Sequence, residues 1–336
     1  MHMADALVTP IVAGSMYACS GVAMMYSIKK VNFNVDTKKI PLMGVMGAFV
    51  FAAQMINFTI PGTGSSGHIC GGMMLSAILG PYAAFLTMIG ILLIQCLMFA
   101  DGGILALGCN IWNMSFYGCF IGGIIIWRYI MKNSISKKKI MIASVLGCIL
   151  TLQLGAFSVS LETLASNITE LPFITFIAVM QPIHLVIGLV EGVITGTVLI
   201  FIYESRPQIL WMNDENLECE NRVSYKNMIT IIAVCAVVIG GLFSLTASTN
   251  PDGLEWSIEK ITGSTEISSD ELVYEKAEHI QQSTAIFPDY SLKISDSDLG
   301  TSLSGIIGVV TVIVICGVGG YVVRIFKRRI KYEQNK

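Results

Sequence analysis

Residues 173–203 read FITFIAVMQPIHLVIGLVEGVITGTVLIFIY and contain no lysine, arginine or aspartate. A helix needs about 20 predominantly apolar residues to cross a bilayer, and this run is longer than that. The whole chain agrees, because 54% of its 336 residues are hydrophobic, 13% are charged and the mean hydropathy is +0.69. These values are too apolar for a soluble domain of this length. The sequence therefore predicts an all-α integral membrane protein.

Further apolar runs mark the other expected membrane helices. They are residues 8–28, 40–59, 82–99, 104–127, 140–160, 227–247 and 303–323. A shorter run, 69–79, ends at Gly80-Pro81 and predicts a short or re-entrant helix that turns there. No basic segment precedes the first apolar run, so we expect no cleavable signal peptide.

Four basic clusters predict the orientation in the membrane. They comprise Lys29, Lys30, Lys38 and Lys39; Arg128, Lys132, Lys137, Lys138 and Lys139; Arg206, Arg222 and Lys226; and Arg324, Lys327, Arg328, Arg329, Lys331 and Lys336. Cytoplasmic loops carry the excess of Lys and Arg in membrane proteins. Placing all four clusters inside accounts for 18 of the 21 basic residues. It puts the amino terminus outside and the carboxyl terminus inside, with 69–79 counted among nine crossing segments.

The polar stretch 206–226 divides the chain into two predicted modules. Residues 1–205 form a bundle of seven segments, and residues 227–336 form a two-helix hairpin around an external segment, 249–302. That segment holds 11 acidic residues and three lysines, a net charge of −8 in a chain whose total is −2. We interpret it either as a weakly structured, solvated loop or as a region that concentrates cations and docks on the first module.

The first two residues, Met1 and His2, predict a metal-binding amino terminus. A bulky residue after the initiator methionine blocks its removal, so we expect Met1 to keep its α-amine. That amine, the backbone nitrogen of His2 and the His2 imidazole can close two fused chelate rings around one divalent ion. His68, also expected on the outer face, offers a fourth nitrogen, and four coplanar nitrogens suit Ni(II) or Cu(II). The alternatives are a disordered His2 and a His68 that caps a helix.

Residues 62–67, Gly-Thr-Gly-Ser-Ser-Gly, match the GxGxxG pattern of dinucleotide-binding loops. That pattern requires a βαβ unit, which membrane segments do not provide, and His68 stands where a Walker A loop requires lysine. We therefore expect no nucleotide or nucleic-acid ligand. The glycines instead predict a tight loop that delivers His68, with Ser65 and Ser66 as partners that fix its imidazole.

Five more polar residues lie at or inside the expected membrane segments. Asp101, Asn110 and Asn113 are interpreted either as helix caps or as groups that order the metal-binding loop. His184 and Glu191 are seven residues apart, so they share a helix face about two turns apart. Ionisable groups inside a membrane are usually functional or paired. We interpret these two as a hydrogen-bonded pair that fixes helix packing, with a catalytic pair as the alternative.

The sulfur-containing residues do not predict a second metal site. The nine cysteines form no CxxC pair and indicate buried apolar packing rather than a disulfide framework. The 18 methionines are interpreted as packing residues as well, with a copper path as the alternative.

Several stretches in the first module carry a family resemblance. They are MHMADALVTP (1–10), FVFAAQMINFTIPGTGSSGHICGG (49–72), FADGGILALGCNIWNMSFYG (99–118) and HLVIGLVEG (184–192). They resemble the M-type substrate-binding component of energy-coupling factor transporters for nickel and cobalt. Residues 251–255, Pro-Asp-Gly-Leu-Glu, resemble the PDGLE motif of the small N-type component. The whole chain resembles a fused M–N protein.

The resemblance implies uptake of Ni(II), or of Co(II) for cobalamin synthesis, across a prokaryotic cell membrane. It implies Met1, His2 and His68 as the metal ligands, and no catalytic cofactor. It also implies two kinds of partner, a transmembrane coupling protein and cytoplasmic ATP-binding subunits, because no nucleotide-binding motif is present. The N-type module is expected to help load the metal. The opening MADAL departs from many relatives, which have proline and glycine after Met-His, but the chelating residues are intact.

Two functions from other classes are open on the sequence alone. An intramembrane metalloenzyme would use His184 and Glu191, or a metal at His2, and would need an open coordination position and a water path. A passive sensor or channel would not need a cytoplasmic surface for a coupling protein.

Overall fold

The computed structural model describes residues 1–31, 38–212, 223–267, 271–292 and 298–334. Its helices are α1 (Pro10–Lys30), α2 (Lys39–Gln54), α3 (Gly72–Leu79), α4 (Pro81–Phe99), α5 (Leu107–Met131), α6 (Lys137–Ala165), α7 (Phe173–Ser205), α8 (Tyr225–Gly241), α9 (Gly253–Thr262), α10 (Leu272–Thr284) and α11 (Asp298–Gln334). Residues Ile111–Trp127 of α5 take π-helical turns. Strands β1 (Phe58–Ile60) and β2 (Ser65–Gly67) form an antiparallel hairpin.

The long helices make the chain a multi-pass membrane protein. Six helices within the described residues are long and apolar enough to cross a bilayer: α1, α4, α5, α6, α7 and residues Leu299–Lys327 of α11. Helices α2 and α8 are apolar but shorter, at 16 and 17 residues. The predicted all-α membrane architecture is therefore confirmed.

Helix α3 lies wholly inside the protein. All eight of its residues are buried, and at 1.5 Å per residue it is about 12 Å long, well short of a full span. Gly80, with φ +77°, turns the chain directly into α4. The predicted short helix that turns at Gly80-Pro81 is present, although it begins at Gly72 rather than at residue 69.

The amino end of α3 is closed by a carboxylate from α7. The two oxygens of Glu191 accept hydrogen bonds from the backbone nitrogens of Cys70 (3.0 Å) and Gly71 (2.9 Å). An internal helix start leaves its N–H groups without partners, and this carboxylate supplies them. The predicted pairing of Glu191 with His184 is therefore wrong. His184 is buried on the same helix but bonds the Met180 carbonyl through Nδ1, at 2.8 Å.

The hairpin α8–α11 packs against α2 through glycines. A Cβ on Gly305 of α11 would stand 1.9 Å from the Gly240 carbonyl oxygen of α8, and one on Gly44 of α2 would stand 2.9 Å from the Ile313 carbonyl oxygen of α11. Small residues allow membrane helices to approach this closely. The second module is thus held against the first by direct backbone contact.

The segment 249–302 is ordered over its described residues and docks on the first module. It contains α9 and α10, and the backbone nitrogens of Ile286 and Phe287 both donate to the Met98 carbonyl at 3.0 Å. The interpretation as a weakly structured loop is therefore wrong for these residues, and docking is observed.

Many of the described basic residues lie at helix ends that meet at one end of the bundle, whereas Lys260 and Lys276 lie in the segment 249–302. Lys327 of α11 donates to the Lys29 carbonyl at 2.8 Å, and Tyr225 donates to the Lys38 carbonyl at 2.6 Å. Lys137, the first residue of α6, forms an ion pair with Glu204 near the end of α7. Eight cysteines lie in the described residues, all free and six of them buried; Cys219, like residues 213–222 as a whole, lies outside the described residues.

Candidate metal centre

The amino-terminal segment runs into the interior, where Asn110 holds it. The Asn110 side chain accepts from the Met3 nitrogen (2.7 Å) and donates to the Met3 carbonyl (3.1 Å), while the Gly103 nitrogen donates to the same carbonyl (2.9 Å). Asn113 donates to Glu162 at 2.7 Å and lies 3.5 Å from the Met3 sulfur. Neither asparagine caps a helix. The helix-cap interpretation is wrong for both, and their contacts order the loop that carries Met1 and His2.

The α-amine of Met1 lies between a histidine and a carboxylate. Its nitrogen is 2.8 Å from His68 Nε2 and forms an ion pair with Asp252 Oδ2, which is itself 3.7 Å from His68 Nε2. Met1 and His68 are 4% and 8% exposed. Both residues are therefore enclosed within the bundle, and the side of the membrane on which they lie stays a prediction.

The His2 ring lies beside this group. It stacks on the His68 ring with centroids 5.4 Å apart, its Nδ1 is 3.0 Å from Asp101 Oδ1, and its Nε2 is 3.2 Å from Gln95 Oε1. Asp101 also accepts a hydrogen bond from the Tyr290 hydroxyl at 2.5 Å. Asp101 therefore contacts His2 instead of capping a helix. A residue of the second module, Tyr290, supports that contact.

Charge complementarity sets the protonation of the apo site. Burial alone would lower the pKa of the Met1 amine, but Asp252 outweighs burial and raises the pKa above its ordinary value. Burial would likewise raise the pKa of Asp252, yet the Met1 ammonium and His68 hold it well below its usual range. Burial and then the Met1 charge lower the pKa of His68. The site therefore pairs an ammonium with a carboxylate beside a neutral imidazole, and a metal ion that used this amine as a ligand would have to displace its proton.

Asp252 is the residue whose place in the site the sequence did not reveal. Its Oδ1 accepts from the nitrogens of Leu254 (2.7 Å) and Glu255 (3.0 Å), while Glu255 accepts from the Asp252 nitrogen at 2.9 Å. This reciprocal capping box begins α9 and leaves Oδ2 for Met1. An aspartate followed three positions later by glutamate predicts such a helix start, but not its partner 251 residues away.

The serines of the glycine loop hold the PDGLE segment rather than the His68 ring. Ser66 donates from its nitrogen to the Pro251 carbonyl (2.8 Å) and from Oγ to the Asn250 carbonyl (2.8 Å). Ser65 Oγ donates to the Ser66 carbonyl at 3.0 Å. The prediction that these two serines fix the imidazole is wrong, because His68 Nδ1 instead donates to the Ile69 carbonyl at 3.0 Å. That bond leaves Nε2 unprotonated and directed at the amine.

A small internal cavity adjoins the amine, and Met1, His68, His184 and Asp252 all line it. Among the described residues, no three His, Cys, Asp or Glu side chains converge as a ready-made metal site. A metal bound beside the amine would have terminal and backbone nitrogens within reach as well as histidines. That donor set favours Ni(II) and neighbouring late transition metals over Mg(II) or Ca(II).

The sequence of the chain matches a transport family over the part that builds this site. Residues 2–209 match the family described as "Cobalt uptake substrate-specific transmembrane region". The chain belongs to this family. Residues 226–325 match the PDGLE domain, so a cobalt-uptake-type region and a PDGLE domain are joined in one chain. The fused M–N resemblance is thereby confirmed. Because the family is one of transport components, the enzyme hypothesis is set aside.

Known proteins with the same organisation exist. The chain is 30% identical to a putative fused nickel transport protein, NikMN, of Archaeoglobus fulgidus, over 94% of this chain and 96% of that protein. It is 33% identical to a putative metal transport protein of Haloquadratum walsbyi over 64% of this chain and 96% of that protein. A truncated transition metal transporter of known crystal structure superposes with a TM-score of 0.54 at 32% identity, covering 61% of this chain and 99% of that one.

Proposed function

We propose that this chain captures Ni(II), with Co(II) as the second candidate, and delivers it for uptake into the cell. The ligands are the Met1 α-amine, the backbone nitrogen and imidazole of His2, and His68 Nε2. The spacing of Met1 and His68 carries this proposal. With metal–nitrogen bonds of about 2.0 Å, adjacent corners of a square plane lie about 2.8 Å apart. The Met1 nitrogen and His68 Nε2 are separated by that distance, 2.8 Å.

The His2 ring has to turn before the chelate closes. Its nitrogens face Asp101 and Gln95 in the apo protein, so binding exchanges these contacts for metal bonds. Asp101 and Gln95 then serve as the resting partners of the imidazole. Asp252 serves the Met1 amine in the same way until the metal displaces its proton.

Two arguments favour nickel over cobalt, the first from the proposed donor set and the second from a relative. A planar set of four nitrogens matches the preferred geometry of low-spin Ni(II), and affinity in nitrogen sites rises from Co(II) to Ni(II). The full-length relative with the same fused organisation is named as a nickel transport protein. The family description names cobalt, which keeps Co(II) as the second candidate.

The layout in the membrane follows from the basic end of the bundle. We propose that this end is cytoplasmic, which places the amino terminus and the segment 249–302 toward the outside. In this arrangement, seven segments of the first module and the hairpin α8–α11 cross a prokaryotic cell membrane, with α3 completing its crossing from inside the bundle. Energy comes from partner proteins, a transmembrane coupling protein and cytoplasmic ATP-binding subunits.

The decisive experiment is a metal analysis of purified full-length chains carrying a carboxyl-terminal tag. The wild type is compared with His68→Ala and with a chain extended by Gly-Ser-Ser before Met1, which turns the Met1 amine into an amide and places the histidine too far from the new terminus to form an amino-terminal Xaa-Xaa-His chelate. We expect about one nickel per wild-type chain, and at least a tenfold loss in the other two, because each lacks a nitrogen donor. A diamagnetic, yellow nickel form would support the planar geometry.

His279→Ala provides the matched control, since His279 is an exposed histidine on α10. Its nickel content should equal that of the wild type. Full nickel content in the extended chain, with its three added residues verified by mass spectrometry, would refute the amino-terminal site.

A further inference from the structure

His184 is a buried histidine for which the capture site has no use. It is 1% exposed, and its Nε2 has no hydrogen-bond partner among the described residues. Because the Met180 carbonyl can only accept, the proton of the ring is on Nδ1, and Nε2 presents a free lone pair. Buried polar atoms are almost always paired, so an orphaned acceptor of this kind requires an explanation.

The lone pair lies beside the metal centre. His184 lines the same internal cavity as Met1, His68 and Asp252, which has room for a single water molecule or a bare metal ion. Gly253 of the PDGLE segment closes its other side, because a Cβ there would stand 3.2 Å from His184 Nε2 and 3.0 Å from Cε1. Glycine at position 253 packs against the ring without a side chain that would crowd the His184 Nε2 lone pair.

His184 and His68 are held in the same way. In each, Nδ1–H donates to a backbone carbonyl, of Met180 at 2.8 Å and of Ile69 at 3.0 Å, and Nε2 is left for a ligand. This is the arrangement that orients metal-bound histidines, in which the distal N–H is fixed by a carbonyl or carboxylate. A neutral imidazole nitrogen is a ligand for Ni(II) or Co(II).

We propose that His184 Nε2 is the ligand of a second metal position, next to the capture site. It takes the cation from the Met1–His68 pair when the cation moves onward through the protein. This inference rests on the proposed capture function. His184 would bind the metal without a preformed set of side-chain ligands, because no three His, Cys, Asp or Glu side chains converge within the described residues. A lone ligand binds weakly, as a position for passage requires. Exchange of one nitrogen for another also lets the metal leave a chelate that would otherwise retain it.

The test uses the native transporter complex, isolated through a carboxyl-terminal tag on this chain and reconstituted into liposomes. Two quantities are measured with ⁶³Ni(II): equilibrium metal content and ATP-driven uptake. The variant is His184→Asn, whose side-chain amide can still donate to the Met180 carbonyl but offers no imidazole. We expect an unchanged content of about one nickel and an uptake rate reduced about tenfold or more, the usual effect of losing a metal-site group. His279→Ala should leave both quantities at the wild-type level.

Each other result overturns a defined part of the inference. Wild-type uptake in His184→Asn would overturn the transfer role and leave capture intact. If His184→Asn elutes and melts like the wild type but loses its bound nickel, His184 is part of the capture site. That result would overturn the proposal that His184 forms a separate metal position. A wild-type complex that binds neither nickel nor cobalt would overturn the proposed function and this inference together.

Discussion

Asp252 links the two modules through its two carboxylate oxygens. One oxygen begins α9 and the other pairs with the Met1 amine. The carboxylate is therefore part of the fold of the second module and part of the resting state of the first. The ion pair requires a protonated amine. A metal ion bound through the amine would remove that proton, so we expect the pair only in the metal-free protein.

Asp252→Asn should destabilise the apo protein more than the nickel-loaded protein. Asparagine is as good an N-cap as aspartate, so α9 is preserved while the charge facing the ammonium is lost. We expect the apo form to lose on the order of 2 kcal/mol, less than the usual cost of breaking a buried ion pair because the amide oxygen still accepts. Thermal melting with and without nickel measures the difference. An equal loss in both forms would contradict the resting role.

Glu191→Gln should weaken the closed start of α3. An amide can supply one acceptor where the carboxylate supplies two, and its NH₂ group would face a backbone N–H. We expect a destabilisation of about 1–3 kcal/mol, the range for a buried donor left without a partner. Melting in detergent is the measurement, with the exposed Thr197→Val of the same helix as the control. A melting temperature equal to that of the control would argue against a capping role.

At the scale of the elements, the sequence predicts which segments form membrane helices better than it predicts where those helices end. The long uncharged runs predicted α1, α4, α5, α6, α7 and α11 because a bilayer imposes a length and polarity that a sequence displays directly. The runs 40–59 and 227–247 were too long, since α2 ends at Gln54 and α8 at Gly241. In both cases the apolar residues continue past the helix into buried or irregular backbone, which hydropathy does not distinguish from a helix.

The sequence predicted residues that the structure brings together, but not the groups that hold them in place. Met1, His2 and His68 were chosen for nitrogen chemistry, and Met1 and His68 are 2.8 Å apart. The partners of Ser65, Ser66 and Glu191 could not be foreseen, because each bonds backbone atoms, which every residue carries and no motif marks. Asp252 was missed for a related reason. Its local pattern, an aspartate three positions before a glutamate, is typical of a helix cap, and only the packing of the two modules gave its second oxygen a partner.

The contact between α8 and α11 makes a prediction at this scale. Gly305→Ala should push the two helices apart, because its Cβ would stand 1.9 Å from the Gly240 carbonyl oxygen. We expect a destabilisation of at least about 1–3 kcal/mol, as for overpacking in a tight core. Gly317→Ala lies on the same helix with nothing within 4 Å, and should melt like the wild type. Equal melting of the two variants would contradict close backbone packing.

At the scale of the whole molecule, we expect the surface between the modules, rather than the covalent linker, to hold the two modules together. Separate chains of residues 1–212 and 223–336, produced in the same membrane, should therefore assemble. The contacts expected to hold them are the glycine packing of α11 on α2, the hydrogen bonds of Ser66 to the PDGLE segment, and the Met1–Asp252 pair. Co-purification through a tag on one chain measures assembly. The same pair carrying Gly44→Leu is the control, and it should fail to co-purify because α11 lies against Gly44. Separation of the unmodified pair would show that the linker is required.

The pairing of Met1 with Asp252 also fixes the order in which the protein matures. Their contact spans 251 positions of the chain. At synthesis rates of about 5–20 residues per second, the carboxylate is made roughly 13 to 50 s after the amine. During that interval the amino-terminal residues have no partner from the second module, while the helices between them are being inserted. The pocket beside the Met1 amine is therefore finished late in biogenesis, and a chain interrupted before residue 252 would carry the proposed nitrogen donors without the carboxylate that holds the amine in place.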